Sequence, residues 1–256
     1  MSFIVKEEFN SLTFPQVTQV IRTIFTYNGF ISQANKEASE RALNIGTITH
    51  EALNAIEESM LKKQSMTNNK SKLLDSTSEI IMENYIPMVY DETWKDEKVS
   101  STVEHCVNQF IKWRHKNIDW ELVVGEQPIK HEVTIPFLTQ SVSYQCNYRG
   151  IIDAIYKKPD NSYALVDYKT SARISDEYMV QLMAYYISLP TEIYQKTKEV
   201  AILRIDKKSK IVDYAGTTPL NSPVSIYAEK IFTHALESYY LKEILRSEMI
   251  SFKIGD

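Results

Sequence analysis

Gly150-Ile151-Ile152-Asp153-Ala154-Ile155-Tyr156, a polar turn Lys157-Lys158-Pro159-Asp160-Asn161-Ser162, and Tyr163-Ala164-Leu165-Val166-Asp167-Tyr168-Lys169-Thr170-Ser171 form the stretch that decides the fold. Two apolar runs rich in Ile, Val, Leu and Tyr flank a Pro/Asp/Asn/Ser turn, which is a β-hairpin signal. Each run carries one aspartate. Side chains alternate along a strand, so Tyr163, Leu165, Asp167 and Lys169 share one face and Ala164, Val166 and Tyr168 take the other.

A carboxylate in an apolar strand is unusual, because burying an unpaired charge is costly. If Asp153 and Asp167 converge to about 4 Å, they repel by about 4 kcal/mol at an effective dielectric near 20. A divalent cation between them removes that penalty. Two carboxylates with water and phosphate oxygens make a magnesium site, and the Lys169 ammonium can position a hydroxide or stabilise charge on phosphate. The arrangement suits phosphodiester hydrolysis.

Taken singly, each aspartate reads as a surface acid at a strand end, and Lys169 as a lysine reaching out to solvent. It is the acid pair, with Lys169 two residues beyond the second acid and Gly150 ahead of the first, that favours a metal site.

The order Gly-x-x-Asp (150–153), Asp-x-Lys-Thr-Ser (167–171) and Gln-x-x-x-Tyr (181–185) resembles the PD-(D/E)xK nuclease superfamily, in particular its RecB-type branch. Upstream, Gly46-Thr47-Ile48-Thr49-His50 matches the small-residue helix start that carries a histidine in that branch. Pro15-Gln16-Val17-Thr18-Gln19-Val20-Ile21 is similar to its opening helix, and Glu126-Gln127-Pro128 to its acidic first core strand. The match spans roughly residues 14 to 190, in the family's order.

The resemblance implies a restriction-endonuclease-like α/β core, with Mg2+ or Mn2+ held by His50, Asp153, Asp167 and the backbone carbonyl of Tyr168. It makes Lys169 the catalytic lysine, with Gln181 and Tyr185 orienting it or touching the DNA backbone. Its mitochondrial genome maintenance, phage and CRISPR-associated relatives imply a stand-alone DNA exonuclease of repair, recombination or replication. Such an enzyme prefers single strands or free ends and works beside replication or recombination proteins. Relatives with an iron-sulfur cluster hold it with four cysteines, and this chain has two. No Gly-x-x-x-x-Gly-Lys-Ser/Thr loop is present, so a helicase motor would be a separate chain.

Several residues keep two readings. His50 on a helix with Leu53 is alternatively a packed histidine, and His105, His115, His131 and His234 are expected as bystanders. Gln181 and Tyr185 share a helical face, which is often core. Glu126 is balanced between a metal-proximal acid and a plain strand residue. Arg149, Thr170, Ser171 and Arg173 are phosphate-contact candidates or solvated side chains. A nuclease-shaped module that binds nucleic acid or a partner without cutting is the alternative function. RNA is an alternative substrate.

The 256 residues, 43% hydrophobic and 24% charged, read as an ordinary globular chain with net charge −4. That charge offers no global attraction to nucleic acid, so binding must rest on local basic patches. Cys106 and Cys146 stand apart, which indicates neither a zinc site nor a disulfide framework and favours a reducing, intracellular compartment. The first residues lack signal-peptide and transit-peptide features, and no run is long enough to span a bilayer. The mature chain is expected to start near residue 1.

Along the chain, a helix is expected from Pro15 with Val17, Val20, Ile21 and Ile24 on one side. A second runs from Ser39 to Leu61, with an interruption near Gly46. Lys62 to Thr77 reads as a polar connection, an arch component only by analogy. Further helices are expected at Glu79–Met88, stopping at or before Pro87, and at Ser101–Ile118. Core strands follow at Trp120–Gly125 and Pro128–Pro136, then the aspartate hairpin. A helix at Asp176–Leu189, strands at Val200–Ile205 and Lys210–Tyr214, and a helix at Val224–Leu245 complete the chain. The expected architecture is one α/β nuclease domain over 1–256, a central mixed sheet flanked by helices, with a mainly helical region at 1–118.

Overall fold

Alternation along β5 (Tyr163–Lys169) divides the molecule into two layers. The structure is a computed structural model that describes residues 14–25, 33–63, 69–93, 97–136 and 143–254. Leu165 enters a core built with helices α1 (Val17–Ile21), α5 (Asp176–Ile187) and α7 (Pro223–Ile254). Ala164, Val166 and Tyr168 enter the opposite core, with α2 (Gln33–Lys63), α3 (Lys70–Thr93) and α4 (Glu97–Lys116). A strand covered on both faces must be apolar throughout. Asp167, only 2% exposed, is therefore the anomaly the sequence pointed to.

The central sheet has the order β1-β4-β5-β6-β7, with β1 at Glu121–Val124, β4 at Ala154–Lys157, β6 at Thr197–Ile205 and β7 at Val212–Thr217. It is mixed: β5 and β6 run parallel, and the other neighbours are antiparallel. The parallel pair needs a crossover. It is supplied by α5 and a short α6 (Thr191–Lys196) that was not expected from sequence. Five strands flanked by helices on both faces give the expected restriction-endonuclease-like α/β fold.

The apolar run at 150–156 is not one strand. Its first half ends β3 (Ser143–Ile152), which forms a separate two-stranded sheet with β2 (Gln127–Pro136) and adds one parallel bridge from Arg149 to Gln16. Its second half is β4 in the central sheet, and Asp153 lies at the break. The expected core strand at Pro128–Pro136 therefore belongs to the smaller sheet.

The helical region also differs from expectation. Helix α2 passes through Gly46 without a break, leaving Leu43 70% exposed on its outer side. Helix α3 begins at Lys70, inside the expected polar connection, because Leu74, Thr77 and Ser78 form a buried stripe among its polar residues; the connection's residues 64–68 lie outside the described ones. The same helix continues past Pro87 to Thr93, where local propensity predicts a stop. Helix α1 ends at Ile21, so Ile24 falls beyond it and is exposed. The opening residues Met1–Phe9 lie outside the described residues. Cys106 and Cys146 are free and buried, and no described helix is long and apolar enough to cross a membrane.

Candidate active site

The β4–β5 ladder stops at the Ala154–Val166 pair, two residues short of Tyr168. The Tyr168 N–H thus has no strand partner on that side and donates instead to Asp153 Oδ2 at 2.7 Å. Two residues beyond Asp167, Lys169 places its Nζ 2.6 Å from Asp167 Oδ2 and 5.1 Å from the Tyr178 ring centre. From α2, His50 Nδ1 comes to 3.4 Å of Asp153 Oδ1, its ring edge-on to Tyr168. His50, Asp153, Asp167, Tyr168 and Lys169 are thus brought together from residues more than a hundred positions apart.

Glycine makes two of these approaches possible. Gly46 lies one helical turn before His50, and a Cβ there would sit 3.3 Å from Thr170 Oγ1, so the bare backbone lets α2 settle on the end of β5. A Cβ on Gly150 would fall 2.5 Å from Cε1 of Tyr185. Tyr185 is buried and its hydroxyl accepts from Gln181 Nε2 at 2.6 Å.

Charges in the site pull its titrations apart. Burial pushes Asp167 up to about 6, with the Asp153 charge adding to the rise and Lys169 opposing it. Burial acts the same way on Asp153, but His50, Lys169 and the Tyr168 N–H outweigh it and hold that carboxyl below the usual range. Burial would lower His50 and Lys169, and the neighbouring carboxylates overcome it, so both are raised. Two adjacent carboxyls driven in opposite directions mark a site built around unbalanced charge.

A cleft of about 850 Å³ opens onto this group. Thr47, Thr170 and Ser171 line it with His50, Asp153 and Lys169. Glu126 sits at its edge in the turn between β1 and β2, held by Asn54, which donates Nδ2–H to Glu126 Oε2 at 3.2 Å and accepts the Glu126 N–H at 3.3 Å. Sequence reasoning missed Asn54, although it lies four residues after His50 and so on the same helical face. It also missed Lys207, which reaches the cleft and donates to the Ala42 carbonyl at 2.7 Å. Arg204 was missed as well; its Nη1 donates to the Ser171 and Ala172 carbonyls at 3.2 and 2.9 Å and shapes the cleft wall.

Other expected residues stand apart. Gln181 contacts Tyr185, whereas Lys169 contacts Asp167 and Tyr178. Arg149 lines a neighbouring cavity rather than the cleft, and Arg173 is exposed. The other histidines have structural partners: His105 bonds the Ser209 carbonyl, His115 bridges Ser71 and Asp75, His131 stacks edgewise on Tyr148, and His234 pairs with Glu237.

The residues fit a hard divalent cation. Asp167 Oδ2 is buried and meets no donor at hydrogen-bonding geometry, although the Lys169 ammonium is close. Carboxylate oxygens with one imidazole are a donor set for magnesium or manganese. Among the described residues no three His, Cys, Asp or Glu side chains are placed so that together they could hold a metal ion, so a cation here would need water and phosphate oxygens beside one or two carboxylates.

A profile of the PD-(D/E)XK nuclease superfamily matches residues 24–248, nearly the whole chain. The chain belongs to the PD-(D/E)XK nuclease superfamily. Membership supports a nuclease hydrolase that binds DNA, and enzymes of this superfamily typically use divalent metals. No curated protein matches the chain. A solved structure described as "Crystal structure of SSO0001" is similar at 13% identity and a TM-score of 0.32, over 59% of this chain and 67% of that one.

Proposed function

We propose that this superfamily member is a Mg2+- or Mn2+-dependent deoxyribonuclease, acting as an exonuclease on single strands or free ends in repair, recombination or replication. The observation that carries the catalytic part is the half-buried Asp153 on the wall of an open cleft, close enough to the buried Asp167 for its charge to raise that carboxyl, with Lys169 lining the same cleft beside the second acid. A binding module that never cuts has no use for two mutually repelling carboxylates kept together. The preference for ends and single strands follows the motif order shared with RecB-type nucleases.

Asp153, Asp167 and His50 are the residues that would hold the cation, with water and phosphate oxygens completing its shell; when bound it would supply a Lewis acid for the phosphate and lower the pKa of water. The Tyr168 carbonyl would be a further donor. In an antiparallel ladder the N–H and C=O of one residue leave on the same side, so this carbonyl points, like its N–H, past the end of β4 toward Asp153. Burial lowers the Lys169 pKa, and the two carboxylates outweigh it and favour the ammonium. As an ammonium it donates from Nζ to a phosphate oxygen or to the attacking water. The Gln181–Tyr185 pair packs against Gly150 and sets the position of β3 just before Asp153.

The test is cleavage of labelled DNA with magnesium and then with chelator, in Asp153→Ala, Asp167→Ala and Lys169→Ala variants. Loss of cleavage in all three supports the reading, and unchanged cleavage removes it. Circular, linear, 5′-blocked and 3′-blocked single strands then decide end dependence, and matched RNA strands decide the sugar.

A further inference from the structure

In the β2–β3 ladder, Lys130 stands directly opposite Arg149. Directly opposed residues of an antiparallel pair share a face with their Cβ atoms about 4.5–5.5 Å apart, and like charges placed so destabilise the pair. Nothing among the described residues offsets this one. Among the described residues the Arg149 side chain finds no hydrogen-bond or ion-pair partner, and the Lys130 ammonium lies over the Phe14 ring. The two cations line a cavity of about 410 Å³, together with Gln16, Thr18, Ile151 and Tyr185. That volume lies within the range of about 300–1,000 Å³ typical of ligand pockets.

This cavity adjoins the catalytic cleft. Ile151 lines both and is 50% exposed, an apolar side chain left open between two polar sites. Alternation along β3 explains why. Cys146, Tyr148 and Ile152 point into the core, while Arg149 and Ile151 point out, and the same parity carried past the strand end brings Asp153 to the cleft. Arg149, Ile151 and Asp153 thus form one track: a cation, an apolar step and a metal-binding carboxylate. At about 3.3 Å per residue, Arg149 lies roughly 13 Å from Asp153.

We propose that Lys130 and Arg149 form a phosphate-binding subsite for the substrate strand. The strand leaves the cleft across Ile151, against which a base packs, and a backbone phosphate lodges between the two cations. The inference rests on the nuclease reading for what occupies the cleft, but binding to this subsite requires neither metal nor cleavage.

The test is binding of fluorescein-labelled oligothymidylates to the full chain in excess chelator, read by anisotropy over a range of salt and strand length. Lys130→Gln/Arg149→Gln should bind long strands at least tenfold more weakly than wild type at low salt. Its slope of log K against log salt should fall by about 0.7 for each lost contact, about 1.4 in all. Arg149→Lys, which keeps the charge, should retain most of the slope. Strands too short to span about 13 Å should not distinguish the double variant from wild type. Equal affinity and slope for long strands in wild type and double variant, or no binding by wild type, overturns the subsite. Because no cutting is measured, failure here is separate from failure of the Asp153, Asp167 and Lys169 variants to lose cleavage.

Discussion

The Tyr168 N–H donates to Asp153 Oδ2 at 2.7 Å, tying an acid at the junction of two sheets to the strand that carries Asp167 and Lys169. The bond separates two jobs of Asp153, acceptor and charge. Asp153→Asn keeps an acceptor oxygen and loses the charge, so it should fold like wild type and cut at least about 100-fold more slowly, the usual cost of removing one preorganised electrostatic group. Asp153→Ala also orphans the Tyr168 N–H, a loss of about 1–3 kcal/mol. Thermal melts should therefore place Ala below Asn, with cleavage lost in both. Equal melting of the two would show that the bond does not hold the junction.

Behind the site, Tyr168 joins a buried network. Its hydroxyl meets that of Tyr156 at 2.5 Å, Tyr156 donates to Glu57 Oε1 at 2.9 Å, and Arg114 donates from Nε to the same oxygen. Glu57 and Arg114 are 1% and 3% exposed. Removing one member of such a pair leaves the other charge buried alone, so Glu57→Ala should lose about 3–5 kcal/mol in urea unfolding. Tyr168→Phe removes one hydroxyl and leaves the backbone bond to Asp153. It should cost about 0.5–1.5 kcal/mol, with kcat within a few-fold of wild type. A large fall in kcat for Tyr168→Phe would move the residue's function from backbone to side chain.

What was legible in the sequence is what depends on local period. Asp167 and Lys169 share a face because strand side chains alternate, and Leu165 and Val166 part to opposite cores for the same reason. A central mixed sheet flanked by helices followed from the order of runs and turns, but not its five strands, because Pro128–Pro136 was expected in it. Illegible were features decided by distant contacts. Ile151, Ile152, Ala154 and Ile155 read as one apolar run, and nothing local says that the sheet changes at Asp153. Pro87 signals a stop by a local rule, yet α3 continues beyond it. Asn54 meets Glu126 across 72 positions and Glu57 meets Tyr156 across 99, distances over which no periodicity operates.

Gly150 is the position least tolerant of a side chain near the site. A Cβ there lies 2.5 Å from the Tyr185 ring, whose hydroxyl is fixed by Gln181, so the ring cannot yield cheaply. Gly150→Ala should cost about 1–3 kcal/mol as an overpacked core does. A Tyr185→Leu background should remove much of that penalty, giving a coupling of about 0.5–3 kcal/mol in a double-mutant cycle read by urea unfolding. Additive losses would mean that the strain is relieved elsewhere.

At the cleft wall the sign of a pH effect can be worked out. Asp206 Oδ1 accepts the N–H groups of Lys208 and Ser209 at 2.8 and 2.9 Å, and Oδ2 accepts from Arg204 at 2.9 Å. These bonds, the backbone ones foremost, bring its carboxyl from an ordinary 3.8 down to about 2. A depressed folded-state value means that the unfolded chain takes up a proton first as pH falls. The stabilisation is complete above about 4 and disappears as pH drops through about 2. Asp206→Asn should therefore melt below wild type at pH 6, with the gap narrowing between pH 4 and pH 2. Arg204 keeps Asp213 as a partner in this variant, its Nε at 2.9 Å from that carboxylate, so the Ser171–Ala172 wall should persist and cleavage at neutral pH should change little. A melting gap independent of pH would show that Asp206 acts through packing instead of charge.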